Sequence, residues 1–445
     1  MRKFLSNIRN LLSPAHTLKW NEVVGWVLAC CVFLTVPLGQ LTRVTVSSGK
    51  AFYLHEFFML PALVLLLPLC KPILHGVWSS GKLRWIIASF AWILLGIVVA
   101  FVQYGSITPG LYLIRLLWYV LFCIEVGVLF NSHPRGLRTW LLLVGIWYWW
   151  LAILQYILLP DTRFLWLYGW DDHYYRMIGT VYDPGLTGIL VCLTAYVTYS
   201  VSKKWLIGKI ITAVLLLSCI LTYSRASYMA ITVSLLYLVI GTQKISVQKL
   251  LAANFYRKNA RIMAAICLVS LSLVFGIYAI IPKPGGEGVN LLRTSTITAR
   301  IHTATEAVQM LKGTEWILGR GLFTTDTPTN TIVTEATEQG ISSEQFASEV
   351  QASKLSSQSD RAVFPDSIFI LLLTQTGVIG LISGVYILYL SLRWLRQREP
   401  LLAAAVVAVM VQSQFNNTLL HPYIVLYLGL FIVSYLRFTV RDTST

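Results

Sequence analysis

Residues 205–242 read WLIGKIITAVLLLSCILTYSRASYMAITVSLLYLVIGT. Two apolar runs, 205–223 and 226–242, flank a short polar break, and Lys209 and Arg225 are the only charged side chains in the stretch. The hydrocarbon core of a bilayer takes about 20 apolar residues per helix. Each run therefore reads as a spanning helix, and Tyr223-Ser224-Arg225 reads as a tight turn at one membrane surface. The same pattern recurs on both sides of the pair. Further runs lie at 22–41, 53–70, 83–103, 107–130, 137–159, 182–201, 262–281, 366–390, 401–416 and 419–436. The pattern predicts an all-α polytopic membrane protein with about twelve transmembrane helices.

Composition supports that class. Of 445 residues, 56% are hydrophobic and 12% charged, more apolar surface than one soluble core can hide. The net charge of +16 does not mark a nucleic-acid binder. Its cations sit in short connections between apolar runs, as membrane topology requires. With the N-terminus in the cytoplasm, alternate connections carry Lys71, Lys82 and Arg84; Arg135 and Arg138; Lys203, Lys204 and Lys209; a rich group from Lys244 to Arg261; Arg393, Arg396 and Arg398; and finally Arg437 and Arg441. This orientation puts both termini in the cytoplasm. Met1 to Trp20 is polar and basic with no small-residue cleavage site after it, so the first run is expected to be retained as a helix. The seven cysteines form no CxxC and read as small apolar side chains. Neither a metal site nor a cofactor motif is expected.

The chain divides into residues 1–281, with nine spans; an outer loop, 282–365; and residues 366–445, with three spans and a cytoplasmic tail. The loop opens with Pro282-Lys283-Pro284-Gly285-Gly286. Ile297, Ile301, Val308 and Leu311 then recur at helical spacing, and Gly319-Arg320-Gly321 ends the segment. Residues 334–359 are polar and suit a solvated helix or a lid. Loops of this length are usually either functional or disordered.

Four features on the outer side carry the candidate chemistry. They are Arg176 to Gly185 before the sixth span; Thr222 to Ser227, with Tyr223 and Arg225; Arg300 and then Gly319-Arg320-Gly321 in the loop; and Asp366-Ser367, followed by Gln375-Thr376-Gly377-Val378-Ile379-Gly380. An arginine near hydrocarbon is costly unless it reaches the interface or an anion, and its planar fork fits phosphate oxygens. Phospholipid headgroups are the plain alternative partner for Arg225, and a solvated helix face is the alternative for Arg300. Taken together, Arg176, Arg225, Arg300 and Arg320 would line a cationic outer pocket suited to a lipid-linked diphosphate. Asp366 is a candidate base or a helix cap, and His421 is a second base candidate. Asp171-Asp172-His173 reads as a wet loop beside an interfacial aromatic belt of Trp166, Tyr168, Trp170, Tyr174 and Tyr175. Arg115 and Glu125 lie inside one span, nearly three turns apart, so direct pairing between them is not expected.

In this order, the four features resemble the O-antigen ligase and Wzy-type polymerase superfamily, most strongly from Arg176 to Gly380. The resemblance implies a GT-C-like fold and a metal-independent glycosyltransferase at the outer face of the bacterial inner membrane. The implied donor is a glycan on undecaprenyl diphosphate, and the implied acceptor is a saccharide. Arg225 and Arg300 would hold the leaving diphosphate, Asp366 would act on the acceptor hydroxyl, and Arg176, Arg320, Tyr223 and His421 would contact substrate. A polymer chain-length regulator is an implied partner. Ligases carry a His, often followed by Asn, where this chain has Asp366-Ser367. That departure favours a polymerase over an O-antigen ligase acting on a lipid A-core acceptor. A transporter or flippase for the same lipid-linked glycans is the competing class, and the chain shows none of the internal repeats common in transporters.

Overall fold

The computed structural model describes residues 20–47, 50–79, 108–131, 133–168, 173–242, 295–321 and 366–436, with a few isolated positions between them. The expected spans at 83–103 and 262–281, the polar stretch 334–359 and most of the outer loop lie outside the described residues.

The described chain is almost wholly helical. The apolar helices are α1 (Trp20–Thr35), α2 (Leu54–Ser79), α3 (Thr108–Leu129), α4 (Pro134–Leu158), α5 (Pro184–Ser202), α6 (Leu206–Ser218), α7 (Arg225–Thr242), α10 (Ile368–Arg398), α11 (Pro400–Gln412) and α12 (Pro422–Val433). Two elements of the connection between α7 and α10 are described, α8 (Ser295–Gln309) and the single turn α9 (Glu315–Leu318). The only strands among the described residues are β1 (Arg43–Ser47) and β2 (Lys50–Tyr53), an antiparallel hairpin between α1 and α2. Among the described residues, five helices are long and apolar enough to cross a bilayer, and five shorter apolar helices accompany them.

Helix α5 is the hub. Of its apolar window 83% is buried inside the protein, against 28–44% for the other four long helices. It packs against α4, α6, α7, α11 and α12. Small side chains allow that density. A Cβ on Gly188 would collide with Ser227 of α7, and Ala403, Ala404, Ala405 and Ala408 of α11 are fully buried. Close approach through small residues replaces the hydrophobic drive that water supplies to soluble helices.

Helix starts are locally encoded. Asp183 caps α5, its Oδ1 accepting from Leu186 N–H at 2.6 Å, with Pro184 at the first helical position. Ser224 caps α7, its Oγ accepting from Ser227 N–H at 3.3 Å. Both caps satisfy donors that a helix leaves open. Contacts gather the starts of α5, α7 and α10 and the end of α11 at one end of the bundle: Ser227 Oγ donates to Gly185 O, Asn416 reaches Asp183, and Ile368 N–H donates to Ser413 O. Gln155 near the end of α4 joins this end by accepting from Ile178 N–H and Gly179 N–H.

Helix α10 is broken within its span. Gly377 has φ 67° and ψ −174°, a conformation in which glycine avoids the Cβ penalty. The break frees the carbonyls of Thr374 and Gln375. They accept from Arg320 N–H at 2.9 Å and Gly321 N–H at 3.1 Å. Gly319, with φ 76°, lets the segment lie flush, because a Cβ on either glycine would strike backbone of the other strand of this contact. Non-helical backbone inside a membrane protein persists where protein groups satisfy it. The segment Gly319-Arg320-Gly321 does so here.

Candidate functional site

The Arg225 turn is built from the backbone outward. Helix α6 ends in a tight 3-10 turn, Cys219–Thr222, and Tyr223 follows in the left-handed region at φ 49°. Arg176 lies buried beneath this turn. Its Nε donates to Thr222 O at 3.0 Å and its guanidinium reaches Tyr223 O at 3.4 Å. Met177 N–H adds a bond to Leu221 O at 2.9 Å. Arg176 thus satisfies the orphan carbonyls of a helix end and fixes the turn that presents Arg225 as the first residue of α7.

Arg300, on α8, meets the start of α10. Its Nε donates to Asp366 Oδ2 at 3.0 Å, with the two side chains 35% and 47% exposed. Its guanidinium lies 5.9 Å from the ring centre of Phe415. Arg225, the first residue of α7, stands within electrostatic reach of Arg300. Two cations from separate segments therefore share one locality, and Asp366 pairs with one of them, Arg300.

The turn after α11 ties this locality to the hub. Ser413 O accepts from Ile368 N–H at 2.8 Å, and Gln414 Oε1 accepts from Ser367 Oγ at 3.0 Å. Asn416 Nδ2 donates to both carboxylate oxygens of Asp183 at 3.3 Å. Phe415, within the same turn, supplies the ring under Arg300. Sequence reading missed the 413–416 turn and its contact with Asp183. The signal present was the pair Asn416-Asn417, polar residues closing an apolar helix.

The remaining site residues fall elsewhere. Arg320 reaches Met310 Sδ at 3.3 Å and Glu315 at 3.9 Å, so it braces the loop against itself. Tyr223 is buried in the turn below Arg225. His421 starts α12 and stacks on Tyr423 at 5.3 Å. The aromatic residues near 170–182 form a contact layer, with Trp170 on Tyr182 and Arg163 over Tyr174. The side chains of Trp166 and Tyr168 lie outside the described residues, as does Asp172.

Arg115 has a partner that its own helix does not supply. It binds Glu56 of α2 through two bonds of 2.6 and 2.8 Å. Tyr119 Oη donates to the same carboxylate at 2.9 Å and meets His55 Nε2 at 2.6 Å. Glu125 is fully buried, and neither of its oxygens has a hydrogen-bond partner among the described residues. No group of three metal-ligating side chains occurs among the described residues.

No protein-family model matches the sequence, and no curated protein matches it.

Proposed function

We propose that the chain is a membrane glycosyltransferase that polymerises oligosaccharide repeat units carried on undecaprenyl diphosphate. The observation that carries this reading is the convergence of Arg225 and Arg300 beside Asp366 at one end of the bundle. The charge pattern of the connections supports an outer-side position for that end in the inner membrane. About twelve spans in a GT-C-like arrangement complete the reading.

In the proposed reaction, an acceptor hydroxyl oxygen attacks the anomeric carbon of the growing chain. The bond from that carbon to the diphosphate breaks, and the diphosphate departs with the electron pair. Arg225 and Arg300 bind the phosphate oxygens where this charge develops. Fixed donors of that kind typically contribute about 100- to 1,000-fold. Asp366 holds Arg300 through Oδ2, and its remaining oxygen is assigned to the acceptor hydroxyl and its proton. A positioned base contributes about 100- to 10,000-fold. The half-exposed state of the Arg300–Asp366 pair supports access by a substrate headgroup.

The test is direct. Purified protein in detergent is incubated with a defined lipid-linked oligosaccharide, and products are sized. Longer lipid-linked chains, formed without any sealed compartment, are the expected result and rule out pure transport. Unextended substrate from folded protein would overturn the proposal. Transfer onto a lipid A-core acceptor in place of self-extension would reassign the chain as a ligase.

A further inference from the structure

The end of the bundle opposite Arg225 holds a cavity of about 520 Å³ between α4, α5, α7, α11 and α12. The helices fix its position. Arg138 is near the start of α4, Lys203 follows α5, Glu399 separates α10 from α11, and Tyr435 follows α12. None of these residues takes part in the site described above. The Arg138 guanidinium lies 4.5 Å from the ring centre of Tyr435. That cation–π contact leaves its in-plane N–H groups available, and Nε is buried with no hydrogen-bond partner. A buried guanidinium donor without an acceptor is costly, and an anionic oxygen in the cavity removes the cost. Lys203 lines the same cavity and places a second cation there. Glu399 is the opposing charge. Burial pushes its carboxyl up, and Arg138 and Lys203 pull it back. Leu238 and Leu401 give the cavity an apolar wall beside these polar groups.

We propose that this cavity binds a phosphate group, with Arg138 and Lys203 as its ligands and the headgroup of a membrane phospholipid as its source. Basic pockets between transmembrane helices are suited to such headgroups. The apolar wall favours a lipid over free phosphate, because it covers the first carbons of an acyl chain.

The experiment is native mass spectrometry of delipidated protein in detergent. The probes are phosphatidylglycerol, phosphatidylethanolamine and, separately, inorganic phosphate. A saturable one-to-one adduct with phospholipid is expected. The Arg138→Ala/Lys203→Ala variant should bind it about 30-fold more weakly, as the loss of two interfacial cations requires. The charge-preserving Arg138→Lys/Lys203→Arg variant should retain most of the binding. Saturation by inorganic phosphate that displaces the lipid supports the same phosphate ligands but assigns a soluble source. Wild-type protein with no saturable adduct for any probe overturns the proposal without a variant. So does an alanine variant that binds as wild type does.

Discussion

Arg300 and Arg176 are the same residue type put to opposite uses, and burial separates them. Arg176 is 6% exposed and spends its donors on Thr222 and Tyr223 carbonyls. Arg300 is 35% exposed, with Nε on Asp366. Arg176→Ala should lower thermal stability by about 1–3 kcal/mol, since two buried carbonyls lose a charged donor. Activity should fall with it, because the displaced turn carries Arg225. Arg225→Ala should lower the melting temperature less than Arg176→Ala does in a detergent thermal-shift assay. Equal destabilisation by both would contradict this division of roles.

At the scale of elements, the broken helix α10 and the 319–321 segment form one unit. A side chain at Gly377 faces both a left-handed backbone and the carbonyl of Ile317. Gly377→Ala should cost about 1–3 kcal/mol from the backbone alone, and the clash adds to it. Gly319→Ala acts on the same contact, so the double variant should cost less than the sum of the two singles. Additive losses in urea or thermal unfolding would mean that the two glycines act separately. Both motifs were visible in the sequence as Gly319-Arg320-Gly321 and Gln375-Thr376-Gly377. Their docking was not, because hydrogen bonds between segments more than fifty residues apart leave no local period. The helices themselves were legible, since bilayer thickness imposes length and apolarity on each run. The boundaries shift where chemistry intervenes. The run at 205–223 ends as the α6 helix at Ser218 and a tight turn, and the run at 22–41 turns tightly after Thr35, where Gly39 takes a non-helical conformation.

Across the whole molecule, the two ends of the bundle carry different chemistry, and an ion pair inside it ties α2 to α3. Sequence reading set Arg115 against Glu125 and rejected that pair on helical spacing. The structure supplies Glu56, 59 residues away, a partner that only tertiary folding reveals. Breaking a buried pair strands a charge, and Arg115→Ala should cost about 3–5 kcal/mol. Arg115→Met combined with Glu56→Gln should recover much of that loss in the same thermal assay. A double variant as unstable as Arg115→Ala would show that the charge is not what the pair protects.

The proposed function rests on two guanidinium groups from separate segments acting on one diphosphate, and the rate of glycan extension in detergent reads that joint action. With insertion and melting temperature matched to wild type, Arg225→Ala and Arg300→Ala should each slow extension about 100- to 1,000-fold. The double variant should be little slower than either, as expected for groups that work as a unit. Near-normal chain extension by both single variants would contradict the account.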